Sequence, residues 1–326
     1  MREVWIFPGQ GSQYPGMGRP LYEVSGNALS ILHKALLLAA LPLDQIMKQG
    51  PREQLAQPVV LEPAMVALQI AYVEELRRAG RHPDFVAGYS LGELAAFYCA
   101  EVLSLDDALR IAVLRSRILQ KLAGESWRMA TVRGLPLQTV EEIVAWIGSI
   151  YSIAVAAHNA PGHSAITGER HGVLKAEIKA FARGGLTAAV EVAGPWHCSI
   201  AAGCAAEVRA ALEQFDFKPP RLPLYSSATG GPVSSAGELR RCLAEQICVP
   251  VLWNEVVNEL WRQGARKSLE IGPGHVLTGF VRRTWPQGQY QARFLERENG
   301  GAVLPPEILP VRAPRAHLHP PVSLSA

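Results

Sequence analysis

"FVAGYSLGELAAF", residues 85–97, decides how this chain is read. An apolar run, Phe85 to Ala87, enters a Gly-Tyr-Ser-Leu-Gly turn, and the Ala- and Leu-rich stretch beyond it has a helical pattern. Strand, sharp turn and helix are the setting in which a G-x-S-x-G pattern presents an exposed serine. Side chains at the flanking positions would obstruct such a turn, so Gly88 and Gly92 make it feasible and put Ser90 at its apex. The Ser90 hydroxyl is a candidate nucleophile. The backbone N–H of Leu91, at the helix start, points where an oxyanion would form.

Working outward, "VWIFP" at residues 4–8 reads as a buried strand ended by Pro8-Gly9. "PAMVALQIAYVEELRRA", residues 63–79, has apolar residues at helical spacing with proline at its start and Gly80 after it, and predicts a helix. From about residue 128 to 196 the elements shorten: "RMATV", "QTVEEIVAWIG", "YSIAVAAHN", "HSAITG", "HGVLKAEIKAFARGG" and "LTAAVEVAG". Their order, βαββαβ, is that of a ferredoxin-like unit. Helix, strand, helix and strand then resume through "HCSIAAGCAAEVRAALEQF", "LPLYSSATG", "PVLWNEVVNELWRQG" and "KSLEIGPG". The expected fold is α/β: an α/β-hydrolase-like parallel-sheet core, residues 1–127 and 197–299, with a ferredoxin-like small domain, 128–196, inserted. Residues 300–326, with six prolines and no period, predict an extended tail.

Composition narrows the function classes. A chain of 326 residues, 48% hydrophobic, can bury a large core, and a net charge of +3 gives no reason to expect nucleic acid. No window approaches about 18 uninterrupted apolar residues, and the N-terminus has no basic-then-apolar leader, so neither a membrane span nor secretion is expected. The five cysteines form no C-x-x-C pair, which fits reduced thiols in a cytoplasmic protein without a metal.

A serine needs a base to take its proton, and nine histidines are available. His317 and His319 fall in the tail, and His33, His82 and His171 among polar or loop residues. Of His158, His163, His197 and His275, two stand out. His197, in "AGPWHCS", lies where the small domain returns to the main one; His275, in "IGPGHVLTG", follows a strand. Spacing leaves both open.

"IFPGQGSQYPGMG", "AGYSLGELAAFYCAEVLSLDDALRIAVLRSRILQ", "AAHNAPGHSAITG", "VAGPWHCSIA", "PLYSSATG" and "LEIGPGHVLTG" together resemble, in order and spacing, the malonyl-CoA:acyl carrier protein transacylases, including the acyltransferases of polyketide synthases. The resemblance spans residues 3 to about 285. It implies that Ser90 carries the acyl group as an ester and that His197 is its base, oriented by the backbone carbonyl of Gln246 rather than by a carboxylate. It also implies a second oxyanion N–H from Gln10 beside that of Leu91. Arg115 takes the place of the arginine that binds the free carboxylate of a malonyl group, a task suited to a planar guanidinium fork. Asn159 and His158 match a small-domain loop that closes the cleft. The donor is a coenzyme A thioester, with no permanently bound cofactor. The partner is an acyl carrier protein of fatty acid or polyketide synthesis, for which Arg77, Arg78 and Arg81, or Arg282 and Arg283, are candidate contacts. A monomer is expected.

Three positions depart from the family pattern. Tyr89 stands where the family usually has histidine, although relatives serving malonate decarboxylation carry tyrosine there. The family's Gln-Pro aligns with Glu62-Pro63 or with the nearby Gln57-Pro58, and a carboxylate at 62 facing the pocket would repel a malonyl group. The tetrad "GPWH", 194–197, matches neither His-Ala-Phe-His nor Tyr-Ala-Ser-His, the common malonyl and methylmalonyl motifs, but Trp196 sets a ring before the base that would crowd an α-methyl branch. The alternatives kept open are an acyl hydrolase that clears carrier proteins, which relatives of that type perform without the arginine, and an inactive carrier-protein docking module.

Overall fold

A computed structural model describes residues 1–296. Its strands in chain order are β1 (Arg2–Phe7), β2 (Phe85–Gly88), β3 (Trp127–Arg133), β4 (Ile153–Ala160), β5 (His163–Glu169), β6 (Leu186–Ala189), β7 (Leu224–Ser226), β8 (Gly231–Val233), β9 (Val251–Leu252), β10 (Ala265–Glu270) and β11 (Gln291–Phe294). They form a six-stranded sheet, order β11-β10-β1-β2-β7-β8, and a five-stranded sheet, order β6-β3-β5-β4-β9.

The large sheet is parallel except for β8. Its central strands are continuous apolar runs: Val4 to Phe7 in β1 are fully buried, as expected where helices cover both faces. β1 and β2 run in register from Val4↔Phe85 to Phe7↔Gly88, so both release the chain at the same sheet edge. The Tyr89 N–H donates to the Phe7 carbonyl at 2.9 Å, which sets the Pro8–Gln13 loop beside the Ser90 turn. Loops at the carboxyl ends of adjacent parallel strands are where such folds bind ligands.

The small sheet has the βαββαβ order anticipated from its sequence, with helices Leu137–Gly148 and Arg170–Ala182 and a core of its own around Val132, Ile143, Ile166 and Val173. It does not end with the inserted segment. β9 adds to it from the later half of the chain, pairing parallel with β4 through Ala157↔Val251 and His158↔Leu252. That seam ties the small domain to the main body beside the cleft.

Four local readings change, the first at Val251 and Leu252, which are expected to open a helix and instead form β9 ahead of helix Trp253–Arg262. The helix expected from Pro63 begins at Pro58 and runs to Arg78, with Pro63 inside it. Pro58 takes a first-turn position, where a missing N–H is harmless. The hydrogen bond lost at Pro63 is outweighed by packing, because this helix is buried on nearly every side. The helix after the turn starts with one 3-10 turn, Ser90–Gly92, before Glu93–Cys99. Helix Gly26–Ala39, capped by the Ser25 hydroxyl accepting from the Ala28 N–H at 3.0 Å, occupies a stretch the sequence reading left without an element. The predicted tail, 300–326, lies outside the described residues.

Candidate active site

Ser90 sits in the left-handed region, φ 51°, at the end of β2. Backbone strain of this kind in a non-glycine residue persists where surrounding contacts over-determine it. Here they do. A Cβ on Gly88 would lie 2.4 Å from the Glu93 Cα, and one on Gly92 would lie 2.1 Å from the Phe7 carbonyl oxygen. Both positions therefore exclude every larger residue. Within the turn the Ser90 N–H donates to Ser227 Oγ at 3.1 Å and the Gly92 N–H to the Tyr89 carbonyl at 2.9 Å. Leu91 lies in the first turn beyond the strand, where backbone N–H groups have no partner earlier in the helix.

The choice among the histidines is made by geometry. His197 Nε2 is 2.9 Å from Ser90 Oγ. On its other side, Nδ1 lies 2.7 Å from the Gln246 carbonyl and 3.3 Å from that of Val249. A carbonyl can only accept, so Nδ1 carries the proton and Nε2 turns its lone pair to the serine. The main chain is held to the same segment: His197, also left-handed at φ 66°, donates its N–H to the Ile247 carbonyl at 2.7 Å. Burial pushes the imidazole pKa down to about 4, with the nearby Arg115 charge adding to the effect, so the ring is neutral at physiological pH. His275 lines the same cleft but packs against the Phe294 ring. His158 pairs with Glu255 at 2.8 Å.

Glu93, which the sequence reading passed over, organises this machinery. It is completely buried. Its Oε1 accepts from Ser226 Oγ, the Ser227 N–H and Ser227 Oγ at 2.8–2.9 Å, and its Oε2 accepts from Gln246 Nε2 at 3.3 Å. Ser227 in turn receives the Ser90 N–H, and Gln246 supplies the carbonyl behind His197. One carboxylate thus ties the nucleophile turn, the end of β7 and the histidine's orienting segment together. The only sequence signal was its place one residue past the turn.

Gln10, Asn159 and Trp196 line the cleft with Ser90, whereas Arg115 is arranged differently from the expectation. Arg115, on helix Leu105–Gln120, is only 2% exposed, and its Nη1 meets Glu62 Oε1 at 2.5 Å; Glu62 is 1% exposed. Arg115 Nε and Glu62 Oε2 have no partner. Neither residue is among those lining the cleft, although the guanidinium is close enough to His197 to act on it. The cleft itself has a volume of about 540 Å³ and lies between the sheets, lined among others by Gln10, Tyr89, Ser90, Asn159, Trp196 and His197. Trp196 is buried beside the base with its Nε1 unpartnered, and the Gln10 side-chain amide is likewise unpartnered. Asn159 accepts the Tyr89 hydroxyl proton on Oδ1 at 2.8 Å and reaches His163 Nδ1 at 3.3 Å. Tyr89 also packs edge-on against Trp253. It is therefore a strut from the nucleophile turn to the small domain.

Residues 4–301 match the family model described as an acyl transferase domain. The chain belongs to this acyl transferase family. It is 31% identical over 284 residues to the malonyl CoA-acyl carrier protein transacylase of Bacillus subtilis, covering 86% of this chain and 89% of that one. It is 32% identical over 303 residues to the polyketide biosynthesis protein ThaF of Burkholderia thailandensis, covering 92% of this chain but 26% of that longer protein. A solved malonyl-transacylase, in complex with its type II polyketide synthase acyl-carrier protein, superposes with a TM-score of 0.84 at 28% identity, covering 91% of this chain and 96% of its own. The acyl transferase match spans both sheets, so the cleft between them lies inside the family domain. Chemically, this acyl transferase site offers a hydroxyl, a neutral base aligned on it, and a helix start beside the hydroxyl, which is the set needed for acyl transfer.

Proposed function

We propose that this acyl transferase moves a malonyl-type acyl group from coenzyme A to the phosphopantetheine thiol of an acyl carrier protein, through an ester on Ser90. The observation that carries this reading is the unbroken line from Ser90 Oγ through His197 to the Gln246 carbonyl. Ser90 Oγ attacks the thioester carbonyl as its proton passes to His197 Nε2. The oxyanion is received by the N–H groups of Leu91 and Gln10. Collapse releases the coenzyme A thiolate, which takes the proton back from His197. In the second half His197 deprotonates the phosphopantetheine thiol, the thiolate attacks the ester, and Ser90 Oγ leaves with that proton. The imidazolium formed in each half is stabilised by the Gln246 carbonyl on the buried side of the ring, where such a dipole acts strongly.

The donor and acceptor are substrates, and no resident cofactor enters the scheme. A cytoplasmic setting is in keeping with five free cysteines, four of them buried. No single helix among the described residues is long and apolar enough to cross a membrane. The chain is taken to work as a monomer. Mass spectrometry of the protein mixed with malonyl-CoA tests the proposal: a malonyl adduct is expected on the wild type and absent from Ser90→Ala. No adduct on the wild type, or an adduct surviving the substitution, defeats it.

A second reading gains support from one contact. Because Glu62 occupies Arg115, an acyl hydrolase acting on uncharged acyl groups no longer conflicts with the presence of that arginine. Release of free acetate from acetyl-carrier protein faster than malonyl transfer would favour it.

A further inference from the structure

Four glutamates are buried among the described residues: Glu62, Glu93, Glu270 and Glu296. Three of them are solvated by neutral donors. Glu93 holds its serines, Glu270 accepts the N–H groups of Leu277 and Thr278 at 3.1 and 2.7 Å, and Glu296 accepts two tyrosine hydroxyls and the Gly18 N–H. Glu62 alone of the four is set against a cation, Arg115, and it alone has a carboxylate oxygen without a partner.

A guanidinium can hold two carboxylates only if their mutual repulsion is relieved, because like charges a few ångströms apart in a poorly solvated site resist ionising together. We propose that Glu62 is a specificity-determining residue: Arg115, held outside the cleft lining by Glu62, reaches the acyl group's own carboxylate only when Glu62 gives up the guanidinium and takes a proton from water, so the two carboxylates compete for it. This rests on the acyl transfer reading given above.

Burial already pushes the Glu62 pKa up to about 7 against the opposing pull of Arg115, so the protonated form is readily reached near neutral pH. The surrounding groups leave that balance to the one pair. Arg115 is the buried charge presented by helix Leu105–Gln120. Helix Glu93–Cys99 presents Glu93, engaged with Ser226, Ser227 and Gln246, and at its far end Tyr98, which donates to Glu74, and the Cys99 thiol, whose pKa burial pushes up. Helix Gly26–Ala39 carries His33 and Lys34, the latter paired with Asp106 on the surface, and helix Leu43–Gln49 carries Asp44 and Lys48 outside its buried face. The short helix Arg52–Leu55 carries Arg52 and Glu53 on the surface. His197, across from Arg115, is neutral above about pH 5.

The exchange has a direction with pH. Protonated Glu62 becomes scarcer as pH rises through 7, so malonyl loading falls relative to acetyl loading, by roughly tenfold per pH unit once well above it. An acetyl donor has no carboxylate to exchange, and any titration of Glu270, also raised to about 7, acts on both donors and cancels in the ratio. Initial rates of Ser90 adduct formation from malonyl-CoA and acetyl-CoA, measured from about pH 6 to about pH 9 for the wild type and Glu62→Gln, test this. The wild-type malonyl-to-acetyl ratio is expected to fall at least tenfold across that range. In Glu62→Gln it is expected to be flat, and roughly a hundredfold above the wild type at the alkaline end. A wild-type ratio constant with pH, or a substitution that leaves ratio and profile unchanged, overturns the inference while leaving Ser90 chemistry intact. Absence of any adduct in the wild type with either donor overturns this inference and the acyl transfer reading together. Because the wild-type profile is decisive by itself, a Glu62→Gln chain that fails to fold does not protect the idea.

Discussion

Glu93 and Glu62 lie in the same molecule, both buried, both beside groups that belong to the site, and they are solvated in opposite ways. Glu93 has four neutral hydrogen bonds and no cation. Glu62 has a cation and a single hydrogen bond from it. The first arrangement satisfies a carboxylate completely and gains rigidity, since every donor is fixed by it in return. The second leaves atoms on both partners unpaired, and a buried pair of that kind is expensive to desolvate. One glutamate builds geometry and the other regulates what may be bound.

The largest expected effect tests the geometric side. His197→Ala should lower transacylation about ten-thousand-fold, as removal of a base from a serine site does, with unfolding in urea little changed. A loss below about tenfold would mean that the Ser90–His197 line is not the reactive one. Next comes Glu93→Ala, which strands the Ser227 N–H, two serine hydroxyls and the Gln246 amide. It should destabilise the fold by about 3 kcal/mol in urea unfolding and reduce kcat with little change in KM. If Glu93→Ala instead changed the malonyl-to-acetyl ratio, the division of labour between the two glutamates would be wrong.

Acid and base titration separate the two further. His197 has a folded pKa near 4, below its unfolded value, so the unfolded chain binds more protons between about 4 and 6.5 and stability from this group is lost as pH falls through that window. Glu62 is raised to about 7, so the folded chain binds more protons between about 4.5 and 7, and its contribution declines as pH rises there. Glu62→Gln should make the second slope shallower, leaving the share that Glu270, also raised to about 7, contributes, and should keep the first, as read from urea midpoints across pH. The smallest effect belongs to Tyr89→Phe. Loss of the hydroxyl bonded to Asn159 should cost about 1 kcal/mol and a few-fold in kcat/KM, with the adduct still on Ser90.

The sequence reading reached Ser90 and the layout of the small domain because both depend on neighbours in the chain. A strand running into two glycines and a helix is legible in 13 residues, and βαββαβ follows from the periods of consecutive segments. His197 and His275 remained equal by spacing, and the family resemblance, not the residues alone, favoured the former. Glu93 was invisible, since an acidic residue in the first turn of a helix is ordinary on a surface. Its burial depends on Ser226 and Ser227, 133 and 134 positions away. Pro63 misplaced a helix start because the packing that carries the helix past it lies on helices Gly26–Ala39 and Leu105–Gln120.

By itself, then, the sequence determined many of the elements, the nucleophile turn and the types of residue available to it, because steric limits and periodicity act over a few residues. Tertiary structure decided which histidine faces Ser90, what holds it, and that Arg115 is occupied by Glu62 across 53 positions. The physical reason is that burial sets the energy of a charge. Only the assembled fold determines which charges leave water and what they meet when they do.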